Sequence, residues 1–243
     1  IPKTIEYGKI GGLSKECCDA LKLAKPEDLA TASKIPGITA AALSSVLFLK
    51  KKKREKNLSD KIDKDFSLFK SCIKVNDKQL EKIYKYIEIL DYYQNNMNLI
   101  GKSTRVNIWS RHILDSAQIL KLLPKQNLND FIIDVGTGAG FPGVILSIMD
   151  RRDIILCEKS IKKINFLNIV SKECKLKIKI FKGKIENYNN KNIKVIVSRA
   201  FSPLKTLFIK VKHITNRDTV FVLHKGKKYI NEMEEAKKYY KFS

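Results

Sequence analysis

The residues best suited to chemistry lie in one stretch, Asp134-Val135-Gly136-Thr137-Gly138-Ala139-Gly140-Phe141-Pro142-Gly143, which follows the apolar run Phe131 to Ile133. Glycines at this density let a backbone turn tightly and approach a ligand where any Cβ would collide. Gly138, Gly140 and Gly143 satisfy the G-x-G-x-x-G spacing of dinucleotide sites, so a nucleoside cofactor is implied and a dinucleotide is one reading. Asp134, two residues before Gly136, favours the other: an acid facing the turn suits the cationic methionine moiety of S-adenosylmethionine and repels a pyrophosphate. Glu158, at the end of the next apolar run, is placed to accept hydrogen bonds from a cofactor ribose, a role both cofactors need.

Two further segments would complete such a site. Lys184-Ile185-Glu186 is expected to wall an adenine pocket, and Ser198-Arg199-Ala200-Phe201 to border the place of methyl transfer. Methylating an exocyclic amine calls for an Asn/Asp-Pro-Pro-aromatic loop there, and methylating a pyrimidine carbon calls for a cysteine nucleophile. Neither is present. A ring nitrogen with a free lone pair, such as guanine N7, needs neither device, only positioning and electrostatics. Arg199 carries forked donors that match a cofactor carboxylate or an RNA phosphate, with a structural ion pair as the alternative.

The elements that must position these residues follow from periodicity. Strands are predicted at Phe131 to Val135, Ile154 to Cys157, Ile178 to Phe181, Val195 to Val197 and Val220 to Leu223. Helices alternate with them at Gly143 to Met149, Ile161 to Cys174 and Leu204 to Lys212, which predicts an α/β fold with a parallel sheet. Upstream, Asp77 is expected to cap a helix whose apolar face is Leu80, Ile83, Tyr84, Ile87 and Leu90, and one helix is expected over Arg105 to Leu123. Nearer the start, Thr39 reads as the N-cap of a helix that buries Val46, Leu47 and Leu49 and ends in Lys50-Lys51-Lys52-Lys53-Arg54. Residues 55–76 read as a linker with a short amphipathic piece from Phe66 to Ile73.

The 243 residues carry 48 Lys and Arg against 25 Asp and Glu, a formal net charge of +23, which makes a polyanion such as nucleic acid the first partner to consider. A lysine-rich genomic bias is the competing explanation of that charge. The five cysteines form no CxxC pair, so neither a zinc site nor a disulfide framework is expected. No apolar run is long enough to span a bilayer and no signal-peptide pattern opens the chain, so the expected compartment is the reducing cytoplasm, without a membrane partner.

From about Tyr92 to Tyr229 the chain resembles the bacterial small-subunit ribosomal RNA guanine-N7 methyltransferase family, also called glucose-inhibited division protein B. The resemblance rests on Asn98-Leu99, Trp109, His112-Ile113-Leu114-Asp115-Ser116, the Asp134 to Gly143 turn, Lys162-Lys163 with Phe166-Leu167, Gly183 through Glu186, Ser198-Arg199-Ala200 and Lys225-Gly226. It implies a Rossmann-like S-adenosylmethionine-dependent methyltransferase fold with N-terminal helices, and 16S ribosomal RNA or the small ribosomal subunit as substrate. It also implies that Gly136, Gly138 and Phe141 of the turn, Ile185, Glu186 and Arg199 bind S-adenosylmethionine; Glu158 joins them from the general methyltransferase pattern. No catalytic base is expected; Arg199 is the one candidate for a direct part, and His112 reads as a support for the cofactor loop.

The start of the chain resembles something else. Ile1 to Tyr7, Ile10 to Ser14 and Ala32 to Leu43 are similar to the C-terminal helical domain of the transfer-RNA uridine 5-carboxymethylaminomethyl modification enzyme, glucose-inhibited division protein A. The expected organisation is therefore a small all-α segment at 1–54, a linker at 55–76 and a methyltransferase domain at 77–243. That domain would comprise a helical cap at 77–123 and a core at 130–243 that stops short of the family's final strands. On this reading the chain joins the tail of one reading frame to most of the next. Two other functions compete: transfer-RNA binding through the N-terminal segment, and methylation of a small molecule.

Overall fold

The computed structural model describes residues 1, 5–127, 129–226 and 229–240, with side chains left aside at 49, 50 and 52–55. The side chains of Leu49 and of most of the basic run Lys50 to Arg54, part of the Ile1 to Tyr7 stretch and the final residues Phe242 and Ser243 therefore lie outside what is described. The chain forms two compact units, 1–64 and 65–243.

In the first unit, α1 (Lys15–Ala24) is capped by Ser14, whose hydroxyl accepts from the Cys17 N–H, and α2 (Leu29–Ala32) by Asp28. Tyr7, Ile10, Cys18, Leu21, Ala32 and Val46 form its core. Helix α3 (Ala40–Cys72) starts where Thr39 predicts, with the Thr39 hydroxyl accepting from the Ala42 N–H at 3.2 Å. It does not end at the basic run. The helix continues to Cys72, so the stretch read as a linker is helical and only 73–76 separate it from the next helix. Lysine, the commonest residue there, is a strong helix former, and no Gly or Pro interrupts the stretch. Leu47, expected inside, is 52% exposed, whereas Val46 is buried.

The second unit opens with α4 (Asp77–Met97), and its cap is Asn76 rather than Asp77. Asn76 Oδ1 accepts from the Gln79 N–H at 2.9 Å while Gln79 Oε1 accepts from the Asn76 N–H at 3.1 Å, a reciprocal pair that fixes the start at Asn76. The buried face of α4 is Ile83, Tyr86, Ile89, Leu90 and Gln94; Tyr84 is 49% exposed and is not part of it. Where one helix was expected over Arg105 to Leu123, the backbone instead changes pitch repeatedly. A tight 3-10 segment (Lys102–Asn107) leads into a wide π-turn (Trp109–Leu114), then the short α5 (Asp115–Ala117) and another 3-10 segment (Gln118–Leu122). The reason lies in α3: the buried Asp65 carboxylate accepts from the Trp109 and Ser110 N–H groups at 2.8 and 3.2 Å, replacing helical acceptors.

Five strands follow, β1 (Phe131–Val135), β2 (Ile154–Glu158), β3 (Lys179–Lys182), β4 (Ile193–Arg199) and β5 (Val220–His224). They alternate with α6 (Gly143–Ile148), α7 (Ile161–Glu173) and α8 (Leu204–Val211), and α9 (Tyr229–Lys237) closes the described chain. All pairs are parallel, in the order β3-β2-β1-β4-β5, so the α/β expectation holds and each predicted strand is present within two residues of its bounds. Successive strand residues serve opposite faces. Ile132, Leu156, Val195 and Val197 pack under α4, α6 and α7, whereas Ile133, Val135, Ile155 and Ile196 pack against Leu207 and Val211 of α8. The order reverses between β1 and β4, which opens a crevice at their carboxyl ends. Among the described residues no helix is long and apolar enough to cross a membrane.

Candidate cofactor site

The chain leaves β1 through a turn that is held together by its own acid. Asp134 is fully buried; its Oδ2 accepts from the Thr137 hydroxyl at 2.6 Å and from the Gly143 N–H at 2.8 Å. The acid faces the turn, as expected, and its bonded oxygen is spent on shaping it, because a buried carboxylate takes the nearest unpaired donors. Its other oxygen, Oδ1, has no partner among the described residues, and burial raises the acid to about 6 despite the two hydrogen bonds. Gly136 adopts φ +68°, and a Cβ there would overlap the Phe201 ring; Gly143 sits so close to Leu156 and Asp134 that no side chain fits.

Glu158, at the end of β2, is the second anchor of the turn. It is buried, with Oε1 accepting from the Lys159 and Ser160 N–H groups at 2.9 Å and Oε2 accepting from the Gly138 N–H at 3.1 Å. A carboxylate offers about four acceptor positions, so capacity remains for a hydroxyl donor.

A cavity of about 370 Å³ opens over these ends. Of the expected cofactor residues, Gly136, Glu158, Ile185 and Glu186 line it, joined by Phe201 and by four lysines, Lys163 of α7, Lys210 of α8 and Lys159 and Lys184 from loops. Glu186 is held by Lys210 of α8 at 2.6 Å, a pairing that lowers its carboxyl below the usual range. Nothing in the sequence foretold Lys210, because its partner lies 24 residues away on another element. Thr137, in contrast, could have been found: a hydroxyl three residues after a buried strand-end acid is a ready internal donor.

The remaining expected residues do not line the cavity. Gly138 serves through its N–H, as described. Phe141 and Arg199 meet behind the turn, with the Arg199 guanidinium 5.0 Å from the Phe141 ring centre. The ring centres of His112 and Tyr86 lie 4.9 and 5.4 Å from that of Phe141, and Tyr86 donates its hydroxyl to the Ala139 carbonyl at 2.7 Å. Burial and the positive charges of Arg199 and Arg111 push His112 down to about 4, so it is neutral at ordinary pH.

The arrangement suits an adenosyl cofactor carrying an amino-acid tail. An acid with spare acceptor positions, an apolar wall at Ile185 and a backbone approachable at Gly136 surround one cavity. Among the described residues no group of three or more His, Cys, Asp or Glu is placed to hold a metal ion.

Comparison with known proteins adds identity to geometry. Residues 79–243 match the family profile described as rRNA small subunit methyltransferase G, and residues 1–79 match that of the tRNA modifying enzyme MnmG/GidA C-terminal helical bundle. The ribosomal RNA small subunit methyltransferase G of Rickettsia prowazekii is 35% identical over 170 residues, covering 70% of this chain and 87% of the relative. That of Rickettsia bellii is 34% identical over 170 residues, covering 70% and 86%. Solved structures resemble the fold more distantly. The geranyl diphosphate C-methyltransferase of Streptomyces coelicolor has a TM-score of 0.42 at 9% identity over 67% of this chain and 73% of its own. A coclaurine N-methyltransferase has a TM-score of 0.38 at 11% identity over 69% and 58%.

Proposed function

The chain belongs to the S-adenosylmethionine-dependent rRNA small subunit methyltransferase G family, and from that membership we propose that it methylates N7 of a guanine in 16S ribosomal RNA, in the cytoplasm. The observation that supports this target is the carboxyl end of β4. The Ser198 hydroxyl is buried and donates to the Val135 carbonyl at 2.9 Å, and Arg199 is a cation, so neither can take a proton from an amine. A target that attacks through a free lone pair needs no such acceptor. When bound, the cofactor supplies an electrophilic sulfonium methyl group.

The protein's contribution is then placement. We assign Glu158, steadied by the Gly138 N–H, to the ribose hydroxyls, Gly136 to close backbone approach, Ile185 to the adenine face and Glu186, steadied by Lys210, to the adenine edge. Phe141 and Arg199 act from behind the turn, Phe141 by fixing its shape and Arg199 by facing an anionic group with its remaining donors. Incubation with methyl-labelled cofactor and small ribosomal subunits should place label in 7-methylguanosine of 16S ribosomal RNA. Label confined to an exocyclic amine, to transfer RNA or to small molecules would refute the proposal.

A second reading concerns the N-terminal residues alone. These residues match the C-terminal helical bundle of a tRNA modifying enzyme, and from that likeness alone we propose transfer RNA as an additional partner. Transfer RNA added in excess at low salt should then bind the full chain without competing against small subunits; absence of binding removes this reading.

A further inference from the structure

The cluster behind the turn contains a hydrogen-bond chain that the proposed function does not use. The Thr104 hydroxyl donates to the Gly101 carbonyl at 2.8 Å, so its oxygen is free to act as acceptor toward His112 Nε2, 2.8 Å away. That assigns the ring proton to Nε2 and leaves the Nδ1 lone pair for the Arg199 Nη2 group, which bonds it directly. The other arm of Arg199 donates from Nη1 to the Arg111 carbonyl at 2.9 Å. Two of the five guanidinium N–H groups are thus committed, and the plane is set over Phe141, the aromatic residue of the glycine turn.

Such fixing has a physical purpose. Arginine has many rotamers to lose, and a guanidinium held in place before binding loses few of them when an anion arrives. A neutral imidazole is the right partner, since a protonated ring would repel the guanidinium and has no acceptor to offer. The charged and titratable groups that bear on this pair are Arg111, Tyr86, Asp115 and Asp134.

We propose that Thr104 and His112 form a positioning relay that holds Arg199 over Phe141 so that its remaining N–H groups receive the carboxylate of the cofactor's amino-acid tail. The relay rests on the reading that Arg199 serves the cofactor, and the two can fail separately.

The test is calorimetric titration of the full chain with S-adenosylmethionine and with decarboxylated S-adenosylmethionine, which lacks the anion. His112→Leu should bind the first about tenfold more weakly, the worth of one charge-assisted hydrogen bond, and the second as the parent does. His112→Asn keeps an acceptor oxygen near the Nδ1 position and should recover most of the loss. Thr104→Val should give an intermediate defect and keeps the test open if His112→Leu fails to fold. If Arg199→Leu weakens binding of S-adenosylmethionine while the folded His112 and Thr104 variants bind it normally, the relay is wrong. If Arg199→Leu leaves cofactor binding intact and raises only the KM for ribosomal subunits, the anion is an RNA phosphate and the assignment of Arg199 to the cofactor is wrong.

Discussion

At the scale of single residues, the site is organised by two buried carboxylates and one buried imidazole, and burial is what gives each its task. Glu158 bridges two segments, accepting from Gly138 of the turn and from Lys159 and Ser160 beyond β2. Glu158→Gln would point an amide N–H at one of these N–H donors. It should weaken S-adenosylmethionine binding about tenfold in a calorimetric titration and lower stability by about 1–3 kcal/mol. The imidazole predicts a pH dependence. His112 is held at about 4 when folded, against 6.5 when exposed, so the unfolded chain binds the extra proton between those values. Its contribution to stability is complete above about 6.5 and is lost as pH falls toward 4. Asp134 has the opposite sign: raised from 3.8 to about 6, it favours the fold at low pH and loses that contribution as pH rises through 6. Denaturant titrations of the parent and of Asp134→Asn between pH 4 and 7 should separate the two. The variant should show a steeper gain of stability with rising pH, and an unchanged slope would contradict the assignment.

At the scale of elements, the cofactor turn is supported by segments far away in the chain. Tyr86 of α4 reaches the turn carbonyl of Ala139, and Asp65 of α3 caps the wide turn that carries His112. Asp65→Ala leaves the buried Trp109 N–H and the half-buried Ser110 N–H unpaired and should cost about 1–3 kcal/mol. Trp109 is the single tryptophan, and its own N–H is one of the two that lose their partner, so fluorescence-detected urea unfolding reads this change at its source. A midpoint indistinguishable from the parent would mean that water replaces the carboxylate. The same elements show where local reading stops. The strands and their parallel arrangement were legible because parallel strands buried on both faces are continuous apolar runs bounded by turns, whereas the order β3-β2-β1-β4-β5 came only with the structure. Asp65, Tyr86 and the broken helix over 102–122 were not, because each depends on a partner more than 40 residues distant.

At the scale of the whole molecule, the net charge of +23 bears on the substrate rather than on the cofactor. Binding to ribosomal RNA releases counterions, so affinity should fall by about three orders of magnitude between about 50 and 200 mM salt. S-adenosylmethionine, with its own charges nearly balanced, should lose no more than about threefold over the same range. Filter binding and calorimetry across a salt series would show both. A flat response for RNA would mean that the lysines are a compositional bias and make few phosphate contacts.

The amino-acid sequence alone determined the parallel α/β architecture, the nucleoside-cofactor turn and the family, because glycine spacing, apolar periodicity and ordered motifs are local properties that survive without coordinates. It also named Gly136, Glu158, Ile185 and Glu186, which one cavity brings together. Only the tertiary structure decided what Asp134 does. Its spacing in the turn is the same whether it faces a ligand or the turn itself, and burial beside the Thr137 hydroxyl and the Gly143 N–H directs its Oδ2 to the latter. The same holds for Arg199 and Phe141, whose meeting with His112 depends on side chains converging from three separate stretches of the chain.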